Sequence, residues 1–181
     1  MQVTMLDAGG AAKHTPQLRA LLQDAVAHGA SVGFVKPLLD AAADGYWREV
    51  SGAVASGSRI LLAAWQDNVL VGTVQLDLCM KPNGRNRAEV QKLLVHSGAR
   101  RGGVATNLMA AAEIQALALC RGLLFLDTEA GSGAEALYAR LGYTRVGELP
   151  EYCATPDGAW RATAIWYKTL FVRDAANATA A

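Results

Sequence analysis

Residues 87–108 read RAEVQKLLVHSGARRGGVATNL, and the architecture turns on them. Arg87–Val95 carries β-branched and aliphatic residues at strand spacing and predicts a strand. His96–Gly103 is a loop rich in glycine and arginine. Val104–Cys120 predicts a long alanine-rich helix with Val104, Leu108, Ala112 and Leu119 along one side. A glycine loop between strand and helix leaves free backbone N–H groups at the positive helix end, and glycine lets the backbone approach a ligand closely. Arg100 and Arg101 add charge, so the segment suits a phosphate. No GK[ST] makes it a Walker loop, and no GxGxxG follows the first strand. Residue types alone fit a turn with two solvated arginines equally well.

Upstream, Val3–Leu6 predicts a short first strand. Thr15 reads as an N-cap before Pro16, opening a helix through Leu18, Leu21, Leu22, Ala25 and Val26 that stops near Gly29. A second helix is expected over Leu39–Ala55, after the loop GASVGFVKP. Arg59–Trp65 is a short apolar strand, and Leu70–Leu78 alternates in the half-buried pattern. With Arg87–Val95 these form a three-strand antiparallel meander. Downstream, Leu123–Thr128 is a buried-type strand. Ser132-Gly-Ala-Glu135 reads as a capping box opening a helix that ends before Gly142. Thr144–Leu149 and Thr163–Phe171 are the last two strands. The order β-α-α-β-β-β-α-β-α-β-β describes an α/β domain on one mixed sheet.

The chain has 181 residues, 52% hydrophobic and 18% charged, with a formal charge of +1. One domain over residues 1–172, with a small polar tail from Arg173, is the expectation. The charge balance excludes a phosphate-tracking nucleic-acid binder. The apolar runs are too short to span a bilayer, so neither nucleic acid nor membrane is an expected partner. Cys79, Cys120 and Cys153 are odd in number and widely spaced, which excludes a disulfide framework and a thiolate metal site. No metal is expected. The start MQVTMLDAGG lacks the basic flank and apolar core of a signal peptide, and a cytoplasmic location follows.

Strand, Q/R-x-x-G-x-G/A, helix resembles the signature of the GCN5-related N-acetyltransferases, with Arg100, Gly103 and Ala105 at its fixed positions. Ala136-Leu137-Tyr138 and Leu141-Gly142-Tyr143 resemble that family's late "lYeklGF" segment. The element order agrees over roughly residues 1–170. The resemblance implies an α/β (α+β-like) fold with a mixed, mostly antiparallel central sheet flanked by helices. It implies acetyl-CoA as cosubstrate, lying in a splay between Arg87–Val95 and Leu123–Thr128. The backbone of Leu93, Leu94 and Val95 would pair with the pantetheine arm, and Arg100, Arg101, Gly102, Gly103, Val104 and Ala105 would hold the pyrophosphate. Where many members carry an Asn that touches the cofactor arm this chain has Ser132, read here as an N-cap and outside the site. SVGF (31–34), KPNGRNRAEVQKL (81–93), LDTEAGS (126–132) and YTRVGELPEYCATPDG (143–158) resemble, more closely, a member that acetylates an amino-acid-like toxin.

Three residues are candidates for the chemistry: Glu89, Asp127 and Tyr138. An amine must lose a proton before or during attack on a thioester, and a carboxylate accepts it directly or through water. Partial burial raises a carboxylate pKa toward that task. A phenol can protonate the departing thiolate. Residue types alone suit Glu89 equally well to an ion pair with Arg87 or Lys92, Asp127 to a turn cap, and Tyr138 to a helix-face aromatic. Glu129 and Asp157 are further acidic loop residues that a cationic substrate could meet. The expected activity is direct acetyl transfer to a small primary amine, amino-acid-like or a toxin or antibiotic, with no acyl-enzyme. A protein N-terminal or lysine acetyltransferase and a non-catalytic CoA-binding module are the two alternatives. A homodimer is left open.

Overall fold

In the computed structural model, which describes residues 1–172, the first half of the chain runs β1 (Gln2–Leu6), α1 (Ala8–Lys13), α2 (Thr15–Ala27), α3 (Asp40–Ala55), β2 (Arg59–Gln66), β3 (Val69–Leu78) and β4 (Arg87–Val95). The second half runs α4 (Val104–Ala118), β5 (Leu123–Glu129), α5 (Gly133–Arg140), β6 (Thr144–Ala154) and β7 (Trp160–Thr169). The tail expected from Arg173 lies outside the described residues. The seven strands form one sheet in the order β1-β2-β3-β4-β5-β7-β6. Every neighbouring pair is antiparallel except β4–β5.

Period-two alternation on β2 builds two cores. Leu61 and Ala63 face α1–α3, joining Leu18, Leu21, Leu22, Trp47 and Val50. Leu62 and Ala64 face the other side, where Val74, Leu76, Leu124 and Leu126 meet Leu108, Met109, Ala112 and Tyr138 of α4 and α5. Covering both faces with helices is what permits apolar residues at consecutive strand positions. Gly72 of β3 lets α4 settle closely, since a Cβ there would lie 2.8 Å from the Leu94 carbonyl oxygen and 3.0 Å from side-chain atoms of Val104 and Leu108.

Several expectations are corrected. Helix α1 lies between β1 and α2, where no element is expected from the sequence; Asp7 caps it by accepting from Gly10 N–H at 2.6 Å. The residue capping α2 is His14, so Thr15 is already helical, and its hydroxyl donates to the Ala11 carbonyl at 3.2 Å. Helix α4 ends at Ala118, leaving Leu119 exposed, and Ala116 takes the core position. Strand β6 continues five residues past Leu149, as a mostly exposed edge strand with a register irregularity between Leu149 and Cys153. An edge tolerates Pro150 there because no central ladder hydrogen bond is lost.

Candidate active site

The site begins where the one parallel pair among the described residues comes apart. β4 and β5 are in register only over Arg87–Glu89 against Leu123–Phe125. Beyond Glu89 the strands diverge. On the other side of β4 the ladder to β3 continues, and His96 N–H donates to the Val71 carbonyl at 2.9 Å. Backbone groups alternate sides along a strand, so Leu94 also faces β3, while Leu93 and Val95 face the opening. Leu94 is buried and in register with Thr73. The structure therefore brings Leu93 and Val95 to the opening and leaves Leu94 behind them.

A bulge helps aim this edge. Thr73 pairs with Leu94 but Gln75 with Gln91, so Lys92 and Leu93 of β4 lie opposite Val74 alone of β3. Lys92 takes up the extra length with φ at +48°, a region that non-glycine residues seldom adopt. As a result Gln91, Lys92 and Leu93 all line one cavity of about 510 Å³.

A second cavity of about 430 Å³ is lined by Arg100, Arg101, Gly103, Val104 and Ala105, and shares Val95, Ala105 and Leu137 with the first. Gly103 is the N-cap of α4 at φ +79°, ψ 0°, with open space where a Cβ would point. Its left-handed backbone turns the chain so that the first amides of a fifteen-residue helix face this cavity. Arg100 Nε reaches the Val95 carbonyl at 3.5 Å. Gly102 does not line the cavity but approaches the Ala99 carbonyl. The strand edge, the helix N-terminus and the arginines together fit an extended ligand with an amide-bearing arm and a phosphate.

Glu89, Asp127 and Tyr138 line the first cavity together. Burial pushes the Glu89 carboxyl above its ordinary range; a hydrogen bond from Gln91 opposes this, and the charges of Asp127 and Asp77 reinforce it. Asp127 Oδ2 lies 2.8 Å from the hydroxyl of Thr163, a buried residue that is also 2.9 Å from the Thr128 carbonyl. This ties the carboxylate to β7. Burial, with the field of Asp127 behind it, pushes the Tyr138 hydroxyl up to about 12. At neutral pH it is a phenol, able to donate. Tyr143 packs its ring 5.8 Å from that of Tyr138 and belongs to the core.

Sequence reading missed other wall residues. Ser132 is one. It sits at the N-cap of α5, but its side chain makes no capping bond. Glu135 instead accepts from Gly131 N–H at 2.7 Å, so half of the expected capping box is replaced. The Ser132 hydroxyl is left buried, with no hydrogen-bond partner among the described residues, on the cavity wall. Its exclusion from the site is corrected on that ground. Tyr152, Cys153 and the loop 29–33 also line the cavity. Ser31 Oγ lies 3.3 Å from Cys153 Sγ. Lys36 N–H donates to the Pro156 carbonyl at 2.9 Å, and the Lys36 ammonium pairs with Asp157 at 3.2 Å. The α2–α3 loop and the β6–β7 hairpin thus meet as a roof. Asp157 serves this roof rather than the cavity; Glu129 is on the wall.

Among the described residues no cluster of His, Cys, Asp and Glu could hold a metal ion, and no helix is long and apolar enough to cross a membrane.

Residues 37–143 match the model of the acetyltransferase (GNAT) family, and the chain belongs to that family of acetyltransferases. Similar solved structures agree in fold. Ribosomal-protein-alanine N-acetyltransferase from Brucella melitensis superposes with a TM-score of 0.78 at 22% identity, covering 94% of this chain and 100% of that one. The yncA protein of Salmonella typhimurium, solved with its cofactor acetyl-CoA, gives 0.78 at 18% identity over 97% and 96%. An aminoglycoside 6'-N-acetyltransferase complexed with coenzyme A gives 0.72 at 19% identity over 96% and 99%. A shared fold does not fix the acceptor, which has to be argued from the site.

Proposed function

We propose that residues 1–172 form one catalytic domain that transfers the acetyl group of acetyl-CoA directly to a primary amine of a small, amino-acid-like molecule, of the toxin or antibiotic kind. The observation that carries this reading is the meeting of Glu89, Asp127 and Tyr138 in one roofed cavity at the open end of β4–β5. A roof stitched by Ser31–Cys153 and Lys36–Asp157 supports a small acceptor over a protein chain, which would need an open groove. The four stretches quoted above resemble tabtoxin resistance protein, which supports the same acceptor class. Three free cysteines suit a cytoplasmic setting.

Bound acetyl-CoA supplies the acetyl group as a thioester. Leu93 and Val95 orient its arm through backbone hydrogen bonds, and the Ser132 hydroxyl gains there the partner it lacks. Arg100, Arg101, Gly103, Val104 and Ala105 hold the pyrophosphate. Asp127 fixes the acceptor ammonium, and Glu89, whose raised basicity suits the task, takes its proton directly or through water. The Tyr138 hydroxyl gives a proton to the departing sulfur in a site where an unprotonated thiolate is costly. No covalent enzyme intermediate is needed, since the free amine can attack the thioester carbon itself.

Release of CoA thiol, followed across a broad panel of small amines and of peptides with free N-termini, tests the proposal. Turnover of small amines is expected. Turnover of peptides alone would replace the acceptor class, and acetyl-CoA binding without any turnover would reduce the chain to a binding module.

A further inference from the structure

The cavity wall holds three carboxylates, Glu89, Asp127 and Glu129, and one side-chain ammonium, that of Lys92. The bulge in β4 puts it there. Without the extra residue, strand alternation would send consecutive side chains to opposite faces. Lys92 Nζ sits 5.7 Å above the ring of Tyr46 and 3.8 Å from the position a Cβ would take on Gly33, a residue of the same wall. Tyr46 is itself held, because Gln75 donates to its hydroxyl at 2.8 Å, and Arg59 donates to Gln75 at 3.2 Å and pairs with Asp77 at 2.9 Å. The ammonium therefore rests on a fixed aromatic platform. No carboxylate lies within ion-pair distance of it among the described residues, although Lys36, Arg19, Arg59, Arg145 and Lys168 all have such partners.

We infer that Lys92 is a specificity-determining residue that holds a carboxylate of the acceptor, so that the cavity selects amines which also carry an acid group. The inference rests on the acetyltransferase reading above. Burial holds the Lys92 ammonium below its ordinary range, with Asp127 and Glu89 opposing that shift and Arg59 aiding it. A guest carboxylate supplies the compensation that burial withholds, and a partly desolvated pair is stronger than one in water. Asp127 and Glu89, which line the same cavity, meet the acceptor ammonium. The two ends of a zwitterion thus find opposite charges, whereas a simple amine or a polyamine leaves Lys92 unanswered or repelled.

The test pairs α-amino acids with their carboxamides as acceptors and reads kcat/KM by CoA release for wild type, Lys92→Met, Lys92→Asn and Lys92→Arg. Asparagine tolerates the left-handed backbone at this position, so one neutral variant keeps the bulge. Comparing the acid-to-amide ratio between enzymes cancels the differing basicity of the two amines. The ratio is expected to fall at least tenfold in Lys92→Met and Lys92→Asn, with the loss carried by KM for the acid, and to be rescued in Lys92→Arg. An unchanged ratio in both neutral variants, alongside wild-type turnover of both acceptor types, overturns the role of Lys92 and leaves the acetyltransferase standing. Turnover of no amine while acetyl-CoA still binds overturns the acetyltransferase reading and this inference with it.

Discussion

Strands β4 and β5 are a tight pair at one end and an open jaw at the other. At the closed end, Ala88 and Leu124 are fully buried partners in register. Their side chains fill the core, and neither carries a titratable group. At the open end the same two strands present Leu93, Val95 and Asp127 to a cavity, and the parallel ladder stops. The difference teaches how the sheet divides its labour. Packing at the closed end sets the angle of the jaw; backbone groups released at the open end become available to a ligand. Substitutions should therefore separate by end, costing stability at one and chemistry at the other.

The largest effect belongs to the open end. Glu89→Gln together with Asp127→Asn replaces both carboxylates with neutral groups of the same shape, and kcat/KM is expected to fall by about 10²-fold or more. Glu89→Gln alone sharpens the comparison. Its folded pKa lies above the unfolded value, so the stability it contributes is full below the unfolded pKa and is lost as pH rises through the folded one. Thermal melts near neutral pH should accordingly show this variant more stable than wild type, with the gain vanishing in acid.

Leu124→Ala strikes the closed end. A buried leucine truncated in a packed core costs about 2–5 kcal/mol, visible as a lower denaturant midpoint. The fraction that stays folded should keep the wild-type kcat. A large loss of kcat with unchanged stability would erase the distinction between the ends.

Tyr138 stands between the two, with its ring in the core and its hydroxyl at the cavity. Tyr138→Phe should leave stability and acetyl-CoA affinity near normal and lower kcat by about 10–10³-fold. Tyr143→Phe, on the neighbouring ring, serves as its control and should be nearly silent in kcat.

A smaller effect is expected at the helix N-terminus. Gly103 has φ at +79° and free space around it, so Gly103→Val is disfavoured by backbone strain rather than by a clash. About 1–3 kcal/mol is the usual cost of such a conformation. Either the loop moves or the strain persists, and calorimetry should show acetyl-CoA bound about tenfold more weakly.

The closed end was legible in the sequence, and the open end only in part. Apolar alternation and turn residues bounded β2, β3 and β4 within about a residue, because burial on two faces leaves a periodic trace. Arg100, Gly103 and Ala105 marked the loop that lines the second cavity because the motif is local. The bulge at Lys92 left no such trace. It exists only in the register between two strands, and Lys92 in isolation is an ordinary strand lysine. The Ser132 hydroxyl was misread because Ser-x-x-Glu fits a capping box, and only the observed bond from Gly131 to Glu135 shows the serine released. The roof was invisible for a simpler reason: Ser31 and Cys153 are 122 residues apart.

Amide hydrogen exchange, resolved by residue with and without saturating acetyl-CoA, tests the central claim most directly. If the open end of β4 receives the cosubstrate, the amides of Leu93 and Val95, which face the opening, should slow markedly on addition. Leu94, already turned toward β3, and Ala88 at the closed end should change little. Unaltered exchange at Leu93 and Val95 while acetyl-CoA is demonstrably bound would contradict the account and put the cosubstrate elsewhere on the molecule.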